Sequence, residues 1–243
     1  MKVLLFQIRD EGDPMRAHEE LCFERKLAQA PPFELDVFCL INDPYPPRLD
    51  DYDVFMVGGS GSYGCVNNVR PWFVRAVELF RQIAEQERPL FCSCFGHQAL
   101  AAALGGEVVT DRQRSELGTF EISLTEEGTK DPLFGQMPST FTAQLGHNDH
   151  VQRLPRGAVL LASSQRSPIQ AYRLEGKPIY ATQFHPEMDH LENTERAGGY
   201  LHVYDDVQKT PERIAQAFRE SPEAVKLIPR FLQLVRDKAL PGG

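Results

Sequence analysis

A cysteine stands between an apolar segment and an alanine-rich segment in Phe91-Cys-Ser-Cys-Phe-Gly-His-Gln98. This order predicts a strand that turns sharply into a helix, with Cys94 at the turn. A thiol there lies at the carboxyl end of a sheet and faces the positive end of the helix, which favours the thiolate. We therefore expect Cys94 to be a nucleophile, and Gln98, four residues later, to face the same pocket. The simpler alternative is that Cys94 is a buried packing residue.

The segment Gln183-Phe-His-Pro-Glu187 supplies the groups that a cysteine nucleophile needs. A thiol requires a base, and the base requires an acceptor that orients its other ring nitrogen. His185 and Glu187 are two residues apart at the end of an apolar strand, so their side chains project to the same side. The sequence predicts a triad of Cys94, His185 and Glu187. A solvent-facing turn is the alternative for the histidine and the glutamate alone.

The other four cysteines have less favourable contexts. Cys22 and Cys39 are predicted to be packing residues, and Cys92 is predicted to lie in the strand core, with a Cys-x-Cys metal pair as the weaker alternative. Cys65 lies in a glycine-rich segment and is a weaker rival nucleophile. An odd number of cysteines without regular spacing does not predict a disulfide framework, which is consistent with a reducing cytoplasm.

Alternating elements in the first half of the chain must position these residues. The predicted strands cover residues 2–8, 33–40, 53–57 and 89–93, and the predicted helices cover residues 15–30, 71–86 and 95–104. Residues 107–185 show short alternating runs, and helices are predicted again at 192–200, 211–219 and 222–238. The pattern predicts one α/β domain over residues 1–243, with antiparallel strands added to the sheet and a helical tail from about residue 190.

Composition excludes several classes of function. The 34 acidic and 26 basic side chains give a formal charge of −8, whereas a surface that binds nucleic acid needs an excess of Lys and Arg. No apolar run approaches the ~20 residues of a membrane span. We expect a cytoplasmic protein without a nucleic-acid or membrane partner.

The motifs Cys94-Phe-Gly-His-Gln98 and His185-Pro-Glu187, with Gly58-Gly59 upstream, resemble those of the triad (class I) glutamine amidotransferases. The similarity is greatest to the glutaminase part of GMP synthetase and to the related γ-glutamyl peptidases, and it extends from about Lys2 to Met188. It implies a flavodoxin-like, mostly parallel central sheet flanked by helices. It also implies hydrolysis of a γ-carboxamide through a γ-glutamyl thioester on Cys94, with His185 as the base and Glu187 as its orienting group.

The same resemblance implies roles for further residues. The backbone N–H groups of Gly59 and Phe95 would form the oxyanion hole. The substrate's amino-acid end would be held by Gly58, Gln98, Gly146, His147 and Asn148. Glutamine or a γ-glutamyl small molecule is the implied substrate, without a cofactor or metal. We find no segment resembling a synthetase, so we expect an ammonia acceptor either to be bound by a separate synthetase or acceptor-binding subunit or not to exist.

This chain departs from the family pattern at three places. Cys92 replaces the usual glycine two residues before the nucleophile. Ser60 replaces a proline in Gly-Gly-Pro, so we expect a more mobile oxyanion loop. Gly146-His-Asn-Asp149 stands where GMP synthetases have Ser-His-Gly-Asp.

Other kinds of site are compatible with parts of the residue pattern. A metal site could use His147, Asp149, His150, Asp189 and His190, but His-Glu-x-x-His and paired Cys-x-x-Cys spacings are lacking, so we expect no metal. The segment Gly58–Gly64 lacks the Gly-Lys-Ser/Thr ending of a nucleotide loop. The apolar stripe of the last helices is expected to pack on the sheet, with a docking face for a partner as the alternative: Ile214, Phe218, Val225, Ile228, Phe231 and Leu232.

Three functions remain open at this point. Hydrolysis of glutamine is the expected activity. A γ-glutamyl peptidase or hydrolase would use the same residues on a larger γ-glutamyl amide. A catalytically inactive regulatory subunit that binds glutamine is the alternative outside enzymes, although the intact Cys94, His185 and Glu187 favour activity.

Overall fold

A computed structural model describes residues 1–30, 32–200 and 216–241. The strands are β1 (Lys2–Gln7), β2 (Glu34–Cys39), β3 (Val54–Val57), β4 (Leu90–Ser93), β5 (Glu107–Thr110), β6 (Glu116–Leu124), β7 (Thr140–His147), β8 (Asp149–Arg153), β9 (Ala158–Ser163), β10 (Ala171–Leu174) and β11 (Ile179–Thr182). The α-helices are α1 (Met15–Leu27), α2 (Pro71–Glu85), α3 (Phe95–Ala103), α4 (Glu126–Lys130), α5 (His190–Gly199) and α6 (Leu227–Arg236). Short 3-10 helices cover Leu49–Asp51, Arg112–Arg114 and Ala224–Lys226.

A nine-stranded sheet forms the centre of the fold, in the order β2-β1-β3-β4-β11-β10-β9-β6-β7. The first five strands in this order are parallel, which is the spatial order of flavodoxin-like sheets. The next four join antiparallel, while β5 and β8 pair in a separate two-stranded sheet. The structure therefore confirms the predicted flavodoxin-like α/β fold with added antiparallel strands.

The central strands are continuous apolar runs because both of their faces are covered. In β1, Leu4 and Phe6 contribute to the hydrophobic cluster on one face of the sheet. Val3 and Leu5, one position along, contribute to the cluster on the other face. The alternation of a strand thus builds two core layers from one short segment.

The last helix packs into one of these layers. Ile228, Phe231 and Leu232 of α6 are fully buried, and the Phe231 ring lies 5.4 Å from that of Phe91 on β4. Phe218 is also buried. The alternative of a docking face is therefore wrong for these four residues, because the fold already covers them. Ile214 and most of the predicted helix 211–219 lie outside the described residues.

The topology brings two chain segments together at one edge of the sheet. Strands β4 and β11 are parallel neighbours in which Ser93 is paired with Thr182. Cys94 directly follows β4, and His185 follows the end of β11 by three residues. Parallel strands end on the same side, so both side chains lie at the carboxyl edge of the sheet. Within the described ranges, none of the helices has the length and apolarity needed to span a membrane.

Candidate active site

Cys94 occupies a backbone conformation that few residues other than glycine adopt. Its φ is 49° and its ψ is −102°, between the buried strand β4 and the first residue of α3. The Cys94 N–H donates to the Thr182 carbonyl at 2.8 Å, which holds the turn against β11. Gly96 allows α3 to approach β3, since a Cβ there would lie 2.8 Å from the Val57 carbonyl oxygen. A sharp turn of this kind directs the thiol out of the edge of the sheet.

His185 is oriented by a carboxylate and lies close enough to the nucleophile for the two groups to interact electrostatically. Its Nδ1 lies 2.6 Å from Glu187 Oε1, and the charge of Cys94 acts on the ring. Burial alone would lower the pKa of His185, but the negative charges of Glu187 and Cys94 outweigh it and raise that pKa to about 9. Burial would raise the pKa of Glu187, yet the charge of His185 and then that of Arg196 hold it at about 2. The pair is therefore an imidazolium beside a carboxylate at neutral pH.

The two segments open onto one cavity of about 220 Å³. Its walls include Cys94, Phe95, Gln98, His185, the segments 59–64 and 146–149, and also Arg9, Asn193, Arg196, Ala197 and Tyr200. The Gly146 carbonyl oxygen lies 3.8 Å from Cys94 Sγ. A thiol, an oriented imidazole and a polar cavity beside them form an arrangement suited to acyl transfer.

Comparison with family models matches residues 39–197 to glutamine amidotransferase class-I. The chain belongs to this family.

Its curated relatives include a subunit of a glutamine-hydrolyzing GMP synthase from Methanocaldococcus jannaschii. That protein is 36% identical over 104 residues, which are 43% of this chain and 53% of the relative. A glutamine-hydrolyzing GMP synthase from Clostridium novyi is 32% identical over 222 residues, 86% of this chain and 39% of the relative. The match thus spans about half the length of these relatives, or less.

Solved structures of the family share the fold at low sequence identity. A glutamine amidotransferase from Thermotoga maritima superposes with a TM-score of 0.73 at 18% identity, covering 98% of this chain and 97% of that one. A glutamine amido transferase from Methylobacillus flagellatus gives a TM-score of 0.67 at 20% identity, covering 100% of this chain and 96% of that one.

In this chain the two predicted oxyanion donors differ in their present contacts. Phe95 is the first residue of α3, where an amide N–H has no acceptor within the helix. The Gly59 N–H instead donates to Glu19 Oε1 at 3.1 Å. The carbonyl of the same Gly58–Gly59 peptide accepts from the Gly96 N–H at 3.2 Å, so both ends of this peptide are held. The Gly59 N–H is therefore occupied in this conformation.

Two arginines fix the Glu19 carboxylate at that position. The fully buried Arg9 donates to both carboxylate oxygens, from Nε at 3.3 Å and from Nη2 at 3.0 Å. Arg196 Nη1 lies 3.7 Å from Glu19 Oε1 and 3.3 Å from Glu187 Oε1. Arg196 thus connects the carboxylate that holds Gly59 with the carboxylate that orients His185. The motifs gave no indication of Arg9, Glu19 or Arg196, because buried ion pairs leave no local pattern in the sequence.

The loop 58–64 is more constrained than its serine led us to expect. The Ser60 hydroxyl donates to the Tyr63 carbonyl and closes the loop on itself. The Tyr63 hydroxyl in turn donates to Asp10 at 2.7 Å. Gly61, at a φ of +64°, lies where a Cβ would come within 2.5 Å of the Tyr200 ring. These side-chain contacts therefore restrain the loop, although it lacks the proline that is usual in the family.

The predicted substrate-binding residues lie together, but several of their polar groups already have partners. Gln98 Nε2 donates to the Asp149 carbonyl at 2.7 Å and to Gln183 Oε1 at 3.0 Å, so its carbonyl oxygen is the group left for a ligand. Asn148 and Gly146 line the cavity. Gly58 packs against Glu19, since a Cβ at this position would lie 2.6 Å from Glu19 Oε1. The glycine therefore makes room for the Glu19 side chain and is not placed to contact a ligand.

The remaining cysteines are poor nucleophiles in this structure. Burial raises the pKa of Cys65 well above its ordinary value, and the nearby Asp149 and Cys94 raise it further. Burial also raises the pKa of Cys92, and it raises that of Cys22 to about 12. Cys39 is buried and donates to the Arg9 carbonyl. Since a thiol and not a thiolate stands at Cys65, it is the weaker rival to Cys94.

Three of the residues considered for a metal site, His147, Asp149 and Asp189, are engaged in other contacts. Both ring nitrogens of His147 have protein partners, and Asp149 accepts from Thr110 Oγ1 at 2.6 Å. Asp189 caps α5 by accepting from the Leu191 and Glu192 amides. In the described ranges, no group of three or more His, Cys, Asp or Glu side chains is arranged to hold a metal ion.

Proposed function

We propose that this chain hydrolyses the γ-carboxamide of glutamine through a γ-glutamyl thioester on Cys94. The observation that carries the proposal is that Cys94 and His185 line one cavity, with His185 Nδ1 held 2.6 Å from Glu187 Oε1. Membership of the class-I family supports it, as do relatives named glutamine-hydrolyzing.

The reaction follows from the charges at the site. The Cys94 thiolate attacks the amide carbon of the substrate and forms the C–S bond. The resulting oxyanion needs backbone N–H donors, and Phe95 and Gly59 are the proposed pair. The imidazolium of His185 gives its proton to the departing amine, which leaves as ammonia. A water molecule then loses a proton to His185 and attacks the thioester carbon; the C–S bond breaks, glutamate is released, and the Cys94 thiolate and the His185 imidazolium are restored.

Gly59 can act in this way only after its N–H leaves Glu19. Until then the oxyanion has one of its two proposed donors, and the loss of one such donor typically costs about a hundredfold to a thousandfold in turnover. We therefore propose that the isolated chain turns glutamine over slowly, and that a separate acceptor-binding protein moves the Gly58–Gly59 peptide. Relatives that are named as one subunit of a GMP synthase support a separate partner.

A γ-glutamyl amide larger than glutamine is the second candidate substrate. The cavity wall also includes Ala197 and Tyr200, at the end of helix α5. If the γ-glutamyl group binds beside 146–149, these residues would face the leaving amine. The presence of these two residues in the cavity wall is the observation that favours a γ-glutamyl peptidase.

Steady-state kinetics on the purified chain test the proposal. Glutamine and a panel of γ-glutamyl amides are supplied in turn, and ammonia or amine release is measured together with glutamate. We expect slow glutamate formation from glutamine, and its loss in Cys94→Ser. Turnover that survives in Cys94→Ser would contradict the proposed nucleophile. Selective hydrolysis of larger γ-glutamyl amides would identify the peptidase instead.

A further inference from the structure

A buried polar cluster holds the segment that lines one side of the cavity. Glu116 begins β6 and is paired directly across the antiparallel ladder with His147, the last residue of β7. His147 Nε2 lies 2.9 Å from Glu116 Oε2, and both side chains are buried. The sequence motifs did not include Glu116.

The hydrogen bonds of His147 define its protonation state. Its Nδ1 lies 2.9 Å from the carbonyl oxygen of Asp149, which can only accept, so this nitrogen carries a proton. Its Nε2 faces the Glu116 carboxyl group and carries a proton as well if that group is ionised. The charge of His147 therefore depends on the state of Glu116.

The surrounding donors show that Glu116 is ionised. Gln170 Nε2 donates to Glu116 Oε2 at 2.6 Å. Ser164 Oγ already accepts from the Ser167 amide at 3.0 Å and from Gln170 Nε2 at 3.1 Å, so its hydroxyl is left to donate. Glu116 Oε1, at 2.7 Å, is a nearer acceptor for this hydroxyl than the Ser167 carbonyl at 3.2 Å. Both carboxyl oxygens receive donors, as a carboxylate requires.

His147 is the cation that balances this carboxylate. Among the residues that the structure describes, neither a lysine nor an arginine forms an ion pair with Glu116. The two other imidazoles nearby are neutral, since burial and then the charge of His147 lower the pKa of His97 to about 3 and lower that of His150 too. The Asp149 carboxylate, two residues from His147, accepts a hydrogen bond from Thr110 Oγ1 at 2.6 Å.

We propose that Glu116 is a positioning residue for substrate binding, which fixes the segment 146–149 through the imidazolium of His147. The segment touches the nucleophile, since the Gly146 carbonyl lies 3.8 Å from Cys94 Sγ. It also touches Gln98, whose amide donates to the Asp149 carbonyl at 2.7 Å. The kinetic consequence rests on the proposed function, whereas the charge pair does not.

Glu116→Gln tests the kinetic consequence, because it removes the charge and keeps the shape of the side chain. We expect the KM for glutamine to rise about tenfold to a hundredfold, as for loss of a charge-assisted hydrogen bond, with kcat within about twofold. The control is Glu121→Gln, an exposed position on the same strand, which should leave KM unchanged. An unchanged KM in Glu116→Gln, or a fall in kcat alone, would overturn the proposal.

Nitrogen-15 NMR of labelled histidine tests the charge pair directly on the unmodified chain. We expect both ring nitrogens of His147, assigned with His147→Gln, to be protonated at neutral pH. In Glu116→Gln one of them should lose its proton. A neutral His147 ring in the unmodified chain would overturn the proposal. If that chain fails to hydrolyse glutamine, the proposed function fails, while the NMR result still decides the charge pair.

Discussion

At the scale of single residues, the charge on His185 follows from the groups around it. Burial works against a charged ring, but Glu187 and the Cys94 thiolate both favour it and raise its pKa to about 9. Below that pH the imidazolium can give its proton to the amide nitrogen of the substrate, which then leaves as ammonia. His185 is therefore already protonated when the substrate binds.

Glu187→Gln should change the pH dependence of turnover. The amide removes the negative charge that raises the pKa of His185, so burial should then dominate and bring that pKa back to about 6.5 or below. We expect the alkaline limb of kcat/KM to move from near pH 9 to about pH 7 or lower, with kcat reduced by about a hundredfold or more. Rate profiles across pH for the two proteins check this, and an alkaline limb that stays in place would refute the role of Glu187.

The motifs located Cys94, His185 and Glu187 because each role depends on local order: a strand, a turn, and two residues spaced to face one side. The other charged groups around the site gave no such signal. Glu19 and Arg196 are 177 positions apart in the chain, and a glutamate in a helix ordinarily predicts a solvent-exposed position. Only the fold brings Glu19 beneath Gly59. Glu116 and His147 similarly become neighbours only through the register of β6 and β7.

At the scale of elements, helix α1 and the loop 58–64 share one hydrogen bond that controls the proposed oxyanion hole. Glu19 of α1 accepts from the Gly59 N–H, while Arg9 and Arg196 hold the carboxylate. The loop, which has Ser60 where the family usually has proline, is therefore held by its neighbours. Its Gly59 N–H donates to Glu19.

Glu19→Gln should have opposite effects on stability and on turnover. Breaking a buried ion pair typically costs about 3–5 kcal/mol, so the free energy of unfolding should fall by about that amount. The weaker acceptor should release Gly59, so glutamine turnover in the folded protein should rise by about tenfold or more. Urea unfolding and steady-state rates measure the two effects.

The matched control for this change is Glu24→Gln, an exposed position on the same helix. It should alter neither stability nor turnover. A Glu19→Gln protein whose turnover falls together with its stability would show that the Gly59–Glu19 contact does not limit the reaction.

At the scale of the whole molecule, the element that supports the nucleophile from behind lies near the end of the chain. Phe231 of α6 packs on Phe91 of β4 at 5.4 Å and on Tyr180 of β11 at 6.0 Å. These two strands precede Cys94 and His185. The apolar stripe of α6 was predicted from its spacing, but its position behind β4 and β11 depends on tertiary contacts that the sequence pattern does not specify.

Phe231→Ala should therefore weaken the fold more than it weakens substrate binding. Removal of a fully buried phenylalanine typically costs about 3–5 kcal/mol. We expect a fall of this size in the free energy of unfolding, with KM for glutamine unchanged in the folded protein. Leu191→Ala, at a side chain that is 67% exposed, is the control and should change little. A raised KM at full stability would show that α6 acts on the site directly.

The central claim is that Cys94 carries the γ-glutamyl group, and covalent labelling tests it most directly. The chain is incubated with a diazoketone analogue of glutamine, and its peptides are analysed by mass spectrometry. We predict one label for each chain, on the peptide containing Cys94, with labelling abolished in His185→Ala and slowed by free glutamine. Labelling at Cys65 or Cys92, or equal labelling of all five cysteines, would contradict the account.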